Sequence, residues 1–236
     1  MDVVFLGIND AGWEIYEWLC DREGVTVEAL VTTEEQLSLV ERLEPDAVVA
    51  VGYRHIVPEE VLEIPPEGCI NVHPGYLPHA RGFNPNVWSI VEGLPAGATM
   101  HYMDPGVDTG DVIARRRVET TFADTGRSLY RRIERACVDL FEAAWPDVEA
   151  GDVDATEQSG EEATYHYKSD FEELCRIDPE ERYEAKELVD RLRALTFPPF
   201  DNAYLEVGGE RYYVEVEVTP AGETDDVDRV GTLSSY

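Results

Sequence analysis

NVHPGYLPHARGFNPNVWSIVEGLPAGATMHYMDPGVDTGD, residues 71–111, is the stretch that organises this chain. The apolar Cys69 and Ile70 lead into it, and strand-like segments lie at both of its ends. Side chains alternate along a strand, so Asn71 and His73, two apart, project from one face and one site can use both. His101 and Asp108 sit around a Gly- and Asp-rich loop, Asp104 to Asp111, whose turns can aim a carboxylate back toward that face. An amide, an imidazole and a carboxylate in this arrangement suit proton transfer with an oxyanion donor. A strand-end Asn with a His and a loop Asp is also what ordinary turn chemistry produces, so residue types alone leave both readings open.

Upstream, DVVFLG (2–7) is a short apolar run ending in Gly, as expected of a buried parallel strand. Asn9 or Asp10 can cap the helix that follows, whose Ala11, Ile15, Trp18 and Leu19 fall on one face. Gly7 and Gly12 belong to neither GxGxxG nor a Walker motif, so tight strand-to-helix turning is their reading. A second strand from Val25, a helix carrying Leu37, Val40 and Leu43, and a third strand over Asp46 to Gly52 continue the alternation. Strand–helix alternation predicts an α/β fold, a Rossmann-like parallel sheet with right-handed crossovers. Such sheets bind ligands beyond the carboxyl ends of their strands, which is where Asn71 and His73 fall. The loop Gly52, Tyr53, Arg54, His55, Ile56 closes the third strand and is placed to line a pocket for a flat heterocycle.

Downstream, Asn84-Pro85-Asn86 opens a helix, ATMHYM and VIARRRVE alternate as strands, and a long helix begins near Thr125. Residues 151–162 shift to Asp, Glu, Thr, Ser and Gly, the composition of a linker or exposed loop. A capped helix is expected near Asp178 to Leu195, then a hairpin turning at Gly208-Gly209. This divides the chain into a main domain (1–150), a linker (151–164), a small helix-plus-hairpin module (165–220) and a polar tail (221–236).

The 236 residues include 50 acidic against 19 basic ones, a formal net charge of −31, and the only lysines are Lys168 and Lys186. Such a surface repels itself in dilute buffer, whereas at molar salt the Debye length falls to about 3 Å. A halophile's cytoplasm is the expected setting. Nucleic acid is an unsuitable partner, since phosphate contacts need a basic footprint. No membrane span or signal-peptide pattern is visible, and localisation is expected to be cytoplasmic. The four cysteines are far apart and lack metal spacing, so no metal is expected.

NVHPGYLP, then Arg81-Gly82, then His101 followed by Asp108 within GVDTGD, resembles the core of the formyltetrahydrofolate-dependent formyltransferases. The family's Asn, His and Asp fall on Asn71, His73 and Asp108, with His101 in support. NPNVW at 84–88, YHYK near 167 and LRALTFPPFDNAY from Leu192 resemble the sugar N-formyltransferases of nucleotide-linked 4-amino-4,6-dideoxyhexoses, and the likeness spans roughly residues 1–217. The resemblance implies N10-formyltetrahydrofolate as cosubstrate and a nucleotide sugar such as dTDP-4-amino-4,6-dideoxyglucose as acceptor. It assigns the pterin to residues 52–56 together with Asp104. Tyr76, Arg81, Asn84, Trp88, His166 and Lys168 are the acceptor candidates, although Arg81 can equally hold its loop. Phe197 and Phe200 can equally pack the hairpin. Asn71 would bond the formyl oxygen, His73 either accepts the amine proton or stabilises the oxyanion, and Asp108 orients His73 and relays a proton. Family members commonly dimerise through their C-terminal parts, so a homodimer is the implied assembly. The alternatives are another folate-dependent formyltransferase such as one for methionyl-tRNA, a formyltetrahydrofolate hydrolase, or a silent folate- or nucleotide-binding module.

Overall fold

A computed structural model describes residues 1–7 and 9–223 of the chain. Strand β1 (Asp2–Leu6) is followed by helix α1 (Asp10–Cys20), β2 (Thr26–Val31), α2 (Ser38–Leu43), β3 (Ala47–Ala50), α3 (Glu59–Leu62) and β4 (Cys69–His73). Strand β1 pairs parallel with β2 and β3, and β3 pairs parallel with β4. Of the two candidate caps Asn9 is the one used, its Oδ1 accepting from Gly12 N at 2.8 Å, and Asp10 is the first residue of α1. Gly7 sits at φ 83°, and a Cβ there would lie 2.4 Å from the backbone nitrogen of Tyr53, so the turns after β1 and β3 touch.

The chain continues with β5 (Arg81–Gly82), α4 (Pro85–Val91), β6 (Ala96–Tyr102), β7 (Val112–Val118) and α5 (Gly126–Ala150). The six-stranded sheet runs β2-β1-β3-β4-β6-β7, and its last two pairings are antiparallel. The sheet is parallel over its first four strands, and two antiparallel strands extend its far edge. The connection between Tyr102 and Val112 is shorter than the dozen or so residues a crossover needs, so β7 can only return beside β6.

Both sheet faces are buried, in alternation. Val3, Phe5, Ala47, Val49, Ile70, Val72, Ala98 and Met100 enter one core under α1 and α5. Val4, Leu6, Val48, Ala50 and Cys69 enter the other, against α2 and α3. Asn71, His73, Thr99 and His101 occupy the same side as this second core, but where it ends. Loops, not a helix, cover the sheet there, which is how a row of polar side chains comes to lie on the face of a hydrophobic sheet. Register fixes the height of the row: Asn71 pairs with Ala50, the last residue of β3, and Ala50's neighbour Leu6 ends β1. The row thus begins where the parallel strands end.

The remaining elements are β8 (Tyr165–His166), α6 (Lys168–Cys175), α7 (Ala185–Leu195), β9 (Tyr204–Val207) and β10 (Glu210–Tyr213). The single helix expected from Asp178 begins only at Ala185. Asp178 caps a turn, its Oδ1 accepting from Glu180 N at 3.0 Å across Pro179, and α6 precedes it. The hairpin turns at Gly208 and Gly209 with φ 62° and 87°, the two positive values a two-residue turn of this hand requires. Buried Arg193 on α7 bonds Asp190 (2.8 Å) and the Asp124 carbonyl (2.8 Å), fixing this part of the chain to the start of α5. Of the expected tail, residues 221–223 form a short 3-10 turn, and 224–236 lie outside the described residues.

Candidate active site

Three polar side chains, up to 37 positions away in sequence, meet around one carboxylate, that of Asp108. Its Oδ2 accepts from Gly82 N–H at 2.9 Å and lies 3.4 Å from His73 Nδ1. Its Oδ1 lies 3.5 Å from Asn71 Nδ2 and 3.7 Å from His101 Nε2. Asp108 adopts φ 55°, the left-handed region where Asp is among the few tolerated residues. That backbone turn aims the carboxylate back at β4.

The two histidines differ. His101 Nδ1 lies 2.7 Å from the carbonyl of Tyr102, a contact that places the proton on Nδ1. Nε2 is then an acceptor and takes a hydrogen from Asn71 Nδ2 at 3.1 Å. The second amide hydrogen of Asn71 has only the long contact to Asp108 and is the one available to another oxygen. His73, by contrast, faces oxygens with both nitrogens: Asp108 through Nδ1 and the Ala80 carbonyl through Nε2 at 3.3 Å. Either neutral tautomer leaves one lone pair against an acceptor, so an imidazolium gains two hydrogen bonds. Burial opposes that gain. His73 is 4% exposed, and desolvation, only partly offset by Asp108, lowers its pKa from the ordinary imidazole value. Burial also pushes the Asp108 carboxyl upward, but the neighbouring imidazoles and the Gly82 N–H outweigh it and hold Asp108 well below the usual carboxylate range. The pair therefore rests with Asp108 charged, its Oδ2 accepting from Gly82 N–H, and with burial resisting protonation of His73.

The proposed pterin loop is more varied. Gly52 is at φ 71°, where a Cβ would meet the Asn9 side chain at 2.7 Å. Tyr53 is half-buried and its hydroxyl donates to the Thr33 carbonyl at 3.1 Å, while Arg54, His55 and Ile56 are exposed. Ile56, at 69%, is a large apolar side chain left in the open beside the site's end of the sheet. Asp104 turns inward on its own loop, accepting from Gly106 N (3.1 Å) and Thr109 Oγ1 (2.5 Å).

Of the acceptor candidates, Arg81 and Asn84 stand on the loop that supplies Gly82 N–H, and Arg81 donates to Gln158 Oε1 at 2.8 Å. Asn84 adopts φ 52° at the start of α4. Tyr76 is half-buried beneath the Arg115 guanidinium, 5.5 Å from the ring centre. Trp88 and His166 lie together. Their rings stack on each other at 3.8 Å and 7°, the Trp88 indole donates to the Phe83 carbonyl at 2.8 Å, and His166 Nε2 lies 3.3 Å from Glu92. This pair packs β8 onto α4. Lys168 is exposed beside Glu172, 3.5 Å away. Phe197 packs edge-on to Tyr130 of α5, whereas Phe200 is exposed.

Two contributions were not legible in the sequence. The Gly82 backbone donor has no side chain to signal it. The segment 151–164 runs across the site: Thr156 bridges Val112 by two backbone bonds (2.8 and 2.9 Å), and Arg81 N bonds the Thr164 carbonyl at 2.9 Å. Its acidic, aperiodic composition gives no hint of this. Among the described residues no group of His, Cys, Asp or Glu is arranged to hold a metal ion, and no helix is long and apolar enough to cross a membrane.

The family model described as "Formyl transferase" matches residues 15–144, and that of the "N-formyltransferase dimerization C-terminal domain" matches residues 170–220. The chain is 34% identical over 202 residues to a methionyl-tRNA formyltransferase of Halorhodospira halophila, covering 85% of this chain and 63% of that protein. It is 33% identical over 188 residues to a GDP-perosamine N-formyltransferase of Brucella melitensis, covering 79% of this chain and 70% of that one. Among solved structures it resembles the formyltransferase PseJ of Anoxybacillus kamchatkensis, determined with UDP-4,6-dideoxy-4-formamido-L-AltNAc and tetrahydrofolate. That match has a TM-score of 0.63 at 29% identity, covering 73% of this chain and 89% of that one.

Proposed function

The chain belongs to the formyl transferase family, and from that premise we propose that it transfers a formyl group from N10-formyltetrahydrofolate to the amine of a nucleotide-linked amino sugar, with dTDP-4-amino-4,6-dideoxyglucose as the reference acceptor. The observation that carries this reading is the convergence of Asn71, His73 and the Gly82 N–H on the charged carboxylate of Asp108. The acceptor nitrogen attacks the formyl carbon, the new C–N bond forms, and the bond from that carbon to N10 breaks. The acceptor loses one proton and N10 gains one. The spare Asn71 hydrogen meets the formyl oxygen as it becomes an oxyanion. The Asp108–His73 pair takes up the amine proton, held by the two oxygens that face the His73 ring, and returns it to the departing N10. His101 fixes the Asn71 amide. No covalent intermediate is needed.

Residues 52–56 and the Asp104 turn form the donor side in this proposal, and Tyr76, Arg81, Asn84 and Lys168 the acceptor side, with Trp88 and His166 supporting the loop between. Residues 1–150 carry the chemistry. The module 165–220 follows the linker 151–164 and supports pairing of two copies, a reading that rests on the C-terminal family match. A monomer by sedimentation at assay concentration would remove it. A methionyl-tRNA relative matches at similar identity, but a net charge of −31 opposes the approach of an RNA backbone.

The direct test is an acceptor screen following tetrahydrofolate release with dTDP-, UDP- and GDP-linked amino sugars in molar KCl. Turnover with a nucleotide amino sugar is expected. Formate release without any sugar would make the protein a hydrolase, and folate binding without turnover a silent module.

The charge balance also supports a high-salt cytoplasm as the working environment. Raising KCl from about 0.1 to 2 M, which shortens the Debye length from about 10 Å to under 3 Å, should raise Tm. An unchanged or falling Tm would reject that setting.

A further inference from the structure

The segment between Thr156 and Thr164 is tied down at both ends, and one side chain in it reaches both loops of the site. Gln158 Nε2 donates one hydrogen to the carbonyl of Asp108 (3.0 Å) and the other to that of Gly110 (2.7 Å). Its Oε1 accepts from Arg81 Nη2 at 2.8 Å. Arg81 adjoins Gly82, whose N–H holds the Asp108 carboxylate. Thr156 is paired with Val112 immediately beyond the catalytic loop, and Thr164 Oγ1 accepts from Ala80 N at 2.7 Å. A single amide thus uses all three of its anchored contacts to join the loop bearing the carboxylate to the loop bearing its backbone donor.

The backbone it grips needs support. Asp108 is left-handed at φ 55°, and Gly110 makes so tight a turn that a Cβ would lie 2.0 Å from the Tyr102 carbonyl oxygen. Loop carbonyls in such a turn have no ladder partner, and the Gln158 amide supplies one for two of them.

We infer that Gln158 is a positioning residue for formyl transfer: it holds the Asp108 backbone in the orientation that directs its carboxylate at Asn71 and His73. This rests on the proposed function for its kinetic consequence but not for its structural one. The informative pair of variants is Gln158→Glu and Gln158→Ala. Glutamate keeps the length and gives Arg81 a charged partner, yet it has no N–H for the two carbonyls.

Both variants are expected to lower kcat by about 10- to 100-fold, the scale of a small misplacement of a reacting group, with KM for donor and acceptor little changed. Both should also exchange amide hydrogens faster in a peptide covering residues 103–111, while peptides from the sheet core exchange as in the wild type. Wild-type turnover in Gln158→Glu would overturn the inference, since the Arg81 contact alone would then suffice. A raised KM with intact kcat would overturn it too, by moving the residue to ground-state binding. Unchanged exchange in 103–111 would overturn it whatever the kinetics. If the wild-type protein shows no turnover at all, the functional reading fails while the exchange comparison still decides the role of Gln158.

Discussion

Asp108→Asn is expected to lower kcat by about 1,000-fold while leaving the fold in place, the scale found when a buried carboxylate loses its charge beside a working histidine. Asparagine is the informative replacement. Like Asp it tolerates the left-handed conformation found at this position, and its Oδ1 can still accept from Gly82 N–H. Alanine would strain the turn and lose the anchor together, confounding charge with geometry. What the neutral amide cannot do is stabilise a proton arriving on His73, whose Nδ1 lies 3.4 Å from the wild-type carboxylate. Turnover within a few-fold of wild type would reject the assignment of Asp108.

The same variant carries a pH signature. His73 works neutral, and its pKa lies below the ordinary imidazole value because burial outweighs the attraction of Asp108. Activity should therefore rise with pH on the acid side, with a midpoint below about 6.5 in kcat/KM. Asp108 is the neighbour that raises the His73 pKa, so removing its charge moves this limb further toward acid. Stability follows the same sign. A histidine that resists protonation when folded favours the unfolded chain as pH falls from about 6.5 toward the folded value, so stability is lost in that window. An acid limb with its midpoint above about 6.5 would mean that Asp108 outweighs burial at His73, and activity falling as pH rises through this range would mean that His73 works as the cation.

Much of the architecture was legible because the forces behind it are local. Alternating strands and helices, the Asn9 cap, the start of the long helix at Thr125 and the Gly208-Gly209 turn all depend on neighbours within a few residues. Strand direction at the sheet's far edge did not follow from that pattern, because the antiparallel pairing of β4 with β6 joins residues 26 to 32 positions apart. Period-2 alternation places Asn71 and His73 on one face, and the family resemblance singles out Asp108 among the aspartates of its loop. The rest of the site is a matter of distant segments. Trp88 reads as a platform for a ligand until His166, 78 positions later, is found stacked on it, and nothing in the run DATEQSGEEAT marks Gln158 as reaching two loop carbonyls. Backbone donors and aperiodic crossings leave no periodic trace for sequence reasoning to find.

Asn71→Ala is expected to reduce kcat by about 100- to 1,000-fold, equivalent to about 2.7–4 kcal/mol of transition-state stabilisation, with donor KM little changed. Its two amide hydrogens have different partners. One is committed to His101 Nε2 at 3.1 Å, and His101 is locked in turn by its Nδ1 contact to the Tyr102 carbonyl, so the amide cannot rotate freely. The other reaches Asp108 only at 3.5 Å, too long to be strong, and is left, already oriented, to donate to a developing oxyanion. Preorganisation of this kind favours the tetrahedral state over the planar formyl group, which is why the loss should fall on kcat. The variant also leaves His101 Nε2, on a residue 2% exposed, without its donor, at a cost of about 1–3 kcal/mol in stability. Thermal unfolding measured beside the kinetics separates the two effects. A Tm decrease with kcat within a few-fold of wild type would make Asn71 a structural partner of His101 and leave the oxyanion without a side-chain donor.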